Sequence, residues 1–329
     1  MGTILVTGGA GYIGSHVARQ LAERGERIVT LDNLSTGFRS AVLHGDFVQG
    51  DTGDAALVAR VLAEHGVDTV MHFAAHIVVP ESVTNPLKYY RNNTANTRTL
   101  LECSVAAGVR HFVFSSTAAV YGIPAGGAAS EDTPALPINP YGWSKLMSER
   151  MLADVAAASP LRYAALRYFN VAGADPGGRI GQSTPEATHL IKVACQHLTG
   201  RRDRVEIFGT DYETPDGTCV RDYIHVEDLA AAHLCALDYL RSGEPSTTLN
   251  CGYGRGFSVR EVLDQVARVA GRPLTIVESP RRAGDPPRLV ASAERIRERL
   301  GWQPRHQDIA GIVRSALAWE QRLLRQPAA

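Results

Sequence analysis

The 329 residues hold 34 lysines and arginines against 34 aspartates and glutamates, so no net field draws the chain to nucleic acid or an anionic membrane. Hydrophobic residues at 44% and charged ones at 21% suit a globular enzyme with a large core and room for two lobes. Five scattered cysteines without a C-x-x-C pair fit reduced thiols in a cytoplasm. The start "MGTILVTGG" has neither a cationic segment nor a cleavable apolar core, and no apolar run reaches roughly 18 residues.

In chain order, short apolar runs at 3–7, 27–31, 46–48, 69–73 and 111–115 read as buried strands. Amphipathic stretches at 14–24, 55–65, 90–107 and 140–157 read as helices between them, and 163–168 as a further strand. This alternation predicts an α/β fold, a doubly wound parallel sheet with helices on both faces. After Asn170 the texture "NVAGADPGGRIGQSTPEA" predicts a lobe boundary or substrate loop. Beyond it, helices are expected near 188–198, 225–241, 258–270, 293–300 and 307–324, with short strands at 205–208, 248–250 and 275–278. The expected division is a dinucleotide-binding part over 1–170, with a returning segment near 222–252, and a smaller α/β lobe over 171–329 at the sheet's carboxyl edge.

"TGGAGYIG" sets Gly8, Gly11 and Gly14 between the first strand and the first helix. Glycine there permits a tight turn and lets the backbone approach a pyrophosphate seated on the helix N-terminus. Asp32 closes the second strand, 18 residues past Gly14. A carboxylate there bonds both ribose hydroxyls of an adenosine and repels a 2′-phosphate, which favours NAD over NADP. Asp51, in "QGD" at the end of the third strand, is placed to touch the adenine.

"YGWSK" puts Tyr141 and Lys145 four residues apart on one helix face, a spacing that alone fits an ordinary helix pair. "FVFSSTAAVYG" upstream runs a strand into a Ser/Thr cluster. Together these pieces resemble the extended short-chain dehydrogenase/reductase family. The resemblance implies Tyr141 as catalytic base, Lys145 as its activator and ribose contact, and Thr117 as the hydroxyl positioning the substrate alcohol. A phenol with an ordinary pKa of about 10 needs a nearby ammonium, and the cofactor's positive ring, to act near neutrality.

The likeness runs over nearly the whole chain and narrows to the UDP-hexose 4-epimerase branch. "VTGGAGYIGSH", "LDNLSTG", "HFAAH", "ESVTNPLKYYRNN", "SSTAAVYG", "NPYGWSKLMSE", "LRYFNVAGA", "GRRDRVEIFGTDYETPDGTCVRDYIHVEDLA" and "PRRAGDPP" carry it. It implies interconversion of UDP-glucose and UDP-galactose with NAD retained through turnover: oxidation at C4, rotation of the 4-keto sugar, and reduction on the other face. Residue by residue it also implies cofactor contacts at Tyr12, Ile13, Asn33, Asp51, Thr52, Phe73, Ala74, Asn92 and Phe169. Nucleotide and sugar contacts fall on Asn170, Leu190, Phe208, Arg221, Tyr223, Arg282, Asp285 and Leu289. Arginine forks match diphosphate oxygens, so Arg221 and Arg282 are the expected clamps.

Three positions depart from the family pattern. Thr117 replaces a serine and keeps the hydroxyl. Ile77 stands where a lysine often meets cofactor phosphate, so NAD is expected to be held less tightly or by another group. Leu289 replaces a tyrosine that excludes N-acetyl sugars in the family, so partial acceptance of UDP-N-acetylhexosamines is expected. Thr117-Ala118-Ala119 lacks the acidic pair that dehydratases place beside the catalytic threonine, which argues against dehydration. Another UDP-sugar epimerase, or a non-catalytic NAD sensor, stays open as an alternative, although sensors tend to lose the Tyr–Lys pair. No metal is expected: His225 and His233 are eight apart, and neither they nor His72 and His76 form a ligand pattern. The helices at 90–107 and 140–157 are apolar on more than one side, and in related proteins they pair as a four-helix bundle, which implies a homodimer.

Overall fold

The protein, seen in a computed structural model, is described over residues 2–282 and 285–325, so Ala283 and Gly284 of "PRRAGDPP" lie outside the described residues. The first half alternates β1 (Thr3–Thr7), α1 (Tyr12–Glu23), β2 (Arg27–Asp32), β3 (Asp46–Gln49), α2 (Ala55–Glu64) and β4 (Val67–His72). Next come α3 (Val79–Thr84), α4 (Pro86–Tyr89), α5 (Asn96–Ala106), β5 (His111–Thr117), β6 (Ala128–Ala129), α6 (Pro140–Ala158) and β7 (Arg162–Tyr168). The remainder holds β8 (Asn170–Ala172), α7 (Leu190–Leu198), β9 (Val205–Phe208), β10 (Val220–His225), α8 (Val226–Arg241) and β11 (Thr247–Cys251). It ends with β12 (Gly256–Ser258), α9 (Val259–Ala270), β13 (Ile276–Ser279), β14 (Arg288–Ala291), α10 (Glu294–Leu300) and α11 (Ile309–Arg325).

Seven parallel strands form the main sheet in the order β11-β7-β5-β4-β1-β2-β3. The chain leaves β1 in one direction and returns through β4 in the other, which opens the crevice where doubly wound sheets bind ligands. Successive side chains of β1 feed opposite layers: Ile4 and Val6 join the core under α1 and α8, Leu5 the core under α2 and α5. Each such fully buried aliphatic side chain contributes about 1.5–3 kcal/mol, and helices on both faces make that possible.

The expected helix over 90–107 is present to Ala106, but its winding changes along the way. Residues Tyr90–Ala95 form a π-turn between α4 and α5, where Asn93 is buried and bonds the His76 carbonyl (2.9 Å) and Ser144 Oγ (3.0 Å). A wide turn of this kind sets a side chain off the helical repeat, which periodicity cannot anticipate.

A second sheet escapes the apolar pattern. Strands β12-β10-β14-β6 pair in that order, and β8 pairs with β10 inside the stretch after Asn170 expected to be loop. Its central strand "VRDYIH" carries Asp222 into the interior with no exposed surface. Asp222 accepts the backbone amides of Tyr253 (3.1 Å), Gly254 (2.9 Å) and Ala291 (3.3 Å), so its polar burial is satisfied.

Candidate active site

The glycine loop is built for close approach. Gly8 has φ +70, and a Cβ there would lie 2.5 Å from the Ala74 nitrogen; at Gly14 it would lie 2.3 Å from the Gly8 carbonyl oxygen. At Gly11 the added carbon would meet only the Gly8 oxygen, at 3.1 Å, leaving the space above the loop open. Gly11 is the N-cap of α1 and offers no side-chain cap, so the first-turn amides point into that space. Asp32 is buried; its two oxygens accept Ala10 N (3.0 Å) and Leu34 N (2.8 Å). Each oxygen keeps a lone pair for a ribose hydroxyl. Burial pushes the Asp32 carboxyl up, against the two amides. Leu34, at φ 59, is the one non-glycine with positive φ among the described residues, a strained turn beside the cradle.

Asn33, Asp51 and Thr52 gather at the same edge: Asn33 donates to Asp51 (2.9 Å), which also accepts Asn96 (2.8 Å). Phe73 and Ala74 follow β4, with Phe73 N bonded to the Thr7 carbonyl (2.9 Å). Tyr12 spends its hydroxyl on the Gly173 carbonyl (2.6 Å), tying α1 to the loop after β8, while Ile13 packs on the core. Asn92 lies in the π-turn, bonded to Asn93 (3.0 Å), and Phe169 joins β7 to β8. Ile77 is 49% exposed, and nearby Lys88 is bonded to Glu81 (2.6 Å). These residues fit a dinucleotide: an open cradle of amides, then a carboxylate with free lone pairs.

Tyr141, Lys145 and Thr117 meet at the carboxyl edge of β5. Asn139 caps α6 by accepting Gly142 N (2.9 Å), and Pro140 opens its first turn. Thr117 ends β5, and its Oγ1 caps the next short turn by accepting Ala119 N (3.1 Å). All three side chains are buried. Burial pushes the Tyr141 phenol up, and the Thr117 hydroxyl, its hydrogen-bond partner, acts the other way. Lys145 donates to the Ser115 carbonyl (2.8 Å) and lies 4.8 Å from the Phe114 ring centre. Burial pulls Lys145 down to about 7, while Glu149 raises it. Burial in the protein alone thus opposes charge on both groups, and further positive charge at the site, such as the cofactor ring supplies, favours the phenolate.

The other expected ligand residues form two groups. Asn170 and Tyr223, paired in register on β8 and β10, line a small cavity with Leu190, His189, Gln182 and Lys192. Arg221 reaches Asp285 (3.4 Å), and Arg282 stacks 3.6 Å over the Phe208 ring. Leu289 pairs in register with Arg221 and packs on Ala118, Val120, Tyr121 and Ala129, next to Thr117. Sequence reasoning missed the buried pair of Glu149 with Arg167, whose guanidinium reaches it at 2.9 Å and 2.5 Å. The spacing Lys145-x-x-x-Glu149 was its only sequence trace. Among the described residues no three His, Cys, Asp or Glu side chains cluster as a metal site.

A doubly wound sheet with a glycine cradle and a Tyr–Lys–hydroxyl set at its carboxyl edge defines a dinucleotide-dependent enzyme of the short-chain oxidoreductase type. The chain belongs to the NAD dependent epimerase/dehydratase family, whose pattern matches residues 4–252. It is 61% identical to the UDP-glucose 4-epimerase of Azospirillum brasilense over 97% of this chain and 92% of that one. The UDP-glucose 4-epimerase of Brucella ovis, crystallised with NAD, superposes with TM-score 0.94 at 46% identity, covering 97% of this chain and 98% of the other. The UDP-Glc/GlcNAc 4-epimerase of Campylobacter jejuni superposes with TM-score 0.85 at 48% identity, covering 98% and 100%. Among the described residues no helix is long and apolar enough to cross a membrane.

Proposed function

We propose that the chain is an NAD-dependent UDP-glucose 4-epimerase that interconverts UDP-glucose and UDP-galactose. What supports this reading is that Tyr141, Lys145 and Thr117 gather at the carboxyl edge of the sheet whose first strand runs into the Gly8–Gly14 cradle, with Arg221 and Arg282 supplied by later elements. NAD, when bound, supplies an electron-accepting ring for oxidation at C4. Tyr141 takes the proton of the sugar 4-hydroxyl and returns it to the carbonyl oxygen of the 4-keto sugar. Thr117 holds that oxygen, and Lys145 stabilises the phenolate. The 4-keto sugar must turn over while its nucleotide stays fixed. Arg221 and Arg282 grip the diphosphate through charge, Asn170, Leu190 and Tyr223 hold the uridine, and the apolar Leu289 leaves the hexose loosely held.

Residues 1–170, with β11 returning to the sheet, serve the cofactor, and 171–329 mainly serve the UDP-sugar. The enzyme works as a homodimer through α5 and α6: Trp143 (40%) and Met147 (41%) are exposed, and Tyr90, Ala95, Met147 and Met151 line an open apolar depression. Its five free cysteines accord with a reducing cytoplasm. The test is incubation of pure protein with UDP-galactose and no added cofactor, with chromatography of the sugar nucleotides. UDP-glucose is expected, and Tyr141→Phe lowers its rate by about 10²–10⁴. No conversion, with or without added NAD, would refute the reading.

A further inference from the structure

Glu149 lies one helical turn beyond Lys145 on α6 and is buried. Two strands of the site reach its carboxylate. Ser116, between the Ser115 carbonyl that receives Lys145 and the candidate hydroxyl of Thr117, donates to it from the end of β5. Arg167 of β7 binds both its oxygens, and also donates to the Tyr121 hydroxyl (3.0 Å), which in turn donates to Asn250 of β11 (2.6 Å). Beyond Arg167 the chain runs directly into Tyr168, Phe169 and Asn170.

The surroundings of Lys145 leave Glu149 as the charge that favours its ammonium. From β4, His72 stacks on the Phe114 ring (5.8 Å), but it is bonded to Thr7 (2.6 Å) and Thr97 (2.9 Å), and burial keeps it neutral, at about 3. From β7, Tyr168 shares a hydrogen bond with Ser115 and is pushed up by burial, so it too is neutral. From α4, Tyr89 meets the edge of Tyr141 and is likewise raised. Tyr121 stays neutral beneath Arg167; the other formal charges facing this layer are Arg167 and, farther out, Glu131, which accepts the Asn250 amide (2.8 Å).

Resting on the epimerase reading, we propose that Glu149 is a positioning residue whose carboxylate keeps Lys145 charged and fixes α6 to the ends of β5 and β7. It does not touch substrate or cofactor. A merely structural ion pair would treat loss of either partner alike. An electrostatic role makes the two partners act in opposite directions. In Glu149→Gln the ammonium loses its counter-charge, so Lys145 deprotonates earlier as pH rises. In Arg167→Gln the carboxylate acts unopposed, so Lys145 stays charged longer.

Two measurements on the NAD-loaded protein test this. In pH profiles of UDP-galactose turnover, Glu149→Gln is expected to move the alkaline limb down by about one pH unit or more, and Arg167→Gln to leave it or move it up. In ultraviolet difference titrations, the phenolate signal that Tyr141→Phe removes is expected to appear at higher pH in Glu149→Gln. The titration needs no turnover, so an inactive wild-type chain would refute the epimerase reading and still leave Glu149 to be judged. Coincident limbs and titrations in folded variants would overturn the proposal. Should Glu149→Gln not fold, a downward shift in Arg167→Gln would overturn it equally.

Discussion

The glycine cradle yields a prediction that separates packing from cofactor binding. A methyl at Gly14 would stand 2.3 Å from the Gly8 oxygen, where ordinary contact begins at 3.4 Å, so the loop or the first turn of α1 must move by about 1 Å. Overpacking of this kind costs about 1–3 kcal/mol, partly offset by the roughly 1 kcal/mol helix preference of alanine over glycine. The same displacement carries the amides off the pyrophosphate, so Gly14→Ala is expected to lower both stability and NAD retention. Gly11 differs: its φ of −82 suits alanine, and the new carbon meets one atom, the Gly8 oxygen at 3.1 Å, which needs to give by only a few tenths of an ångström. That methyl instead enters the open cradle. Gly11→Ala is therefore expected to keep its urea midpoint while losing about tenfold or more in NAD affinity, or ~1.4 kcal/mol. Unfolding curves of the apoprotein, with NAD content after gel filtration, measure the two effects separately. If Gly11→Ala retains NAD like the unaltered chain, the cradle is not the binding site; if Gly14→Ala is as stable as the unaltered chain, the packing argument fails.

The remaining predictions concern specificity, pH and assembly. The chain is expected to turn over UDP-N-acetylgalactosamine, and Leu289→Tyr to lower its rate relative to UDP-galactose by about tenfold, ~1.4 kcal/mol of transition-state energy; absence of any N-acetyl turnover in pure protein would refute this. His72, His225 and His233 are buried and pulled down to about 3, 4 and 4 by burial. Folded values below the unfolded one mean that the unfolded chain takes up protons first, so stability is present above about pH 6.5 and is lost as pH falls. Between pH 7 and 5 each costs about 2 kcal/mol, seen as falling urea midpoints; unchanged midpoints would contradict it. Light scattering should give a two-chain mass, and Met147→Glu should weaken the pair, each unpaired carboxylate costing about 3 kcal/mol at a buried interface; a one-chain mass for the unaltered protein would refute the dimer.

Much of the main sheet was legible because strands buried on both faces read as near-continuous apolar runs, as in "TILVT" and "RIVTL". Strands of the second sheet are short, and β10 hides a carboxylate in its middle, so the apolar signal fails where backbone amides satisfy a buried charge. The expected helix over 90–107 assumed one period through a π-turn. In the candidate site, residues fixed by spacing along one element were readable: the three glycines, Asp32, and Tyr141 with Lys145. The link from Glu149 to Arg167 and Ser116 joins α6, β7 and β5 across sequence separations of 18 and 33, and no local pattern records it.

The way the sheets share strands has a consequence for how this protein can be divided. Strand β11 lies beyond residue 170 yet completes the main sheet beside β7, while β6, from the first half, edges the second sheet beside β14. Each layer borrows an edge from the other half of the chain. A gene truncated near residue 170 would therefore encode a sheet with a bare flank and an unpaired ladder, inviting aggregation. The two halves are not separate modules in construction, and a single crossover between relatives near residue 170 is expected to disturb both sheet edges. The halves are expected to melt together in one transition.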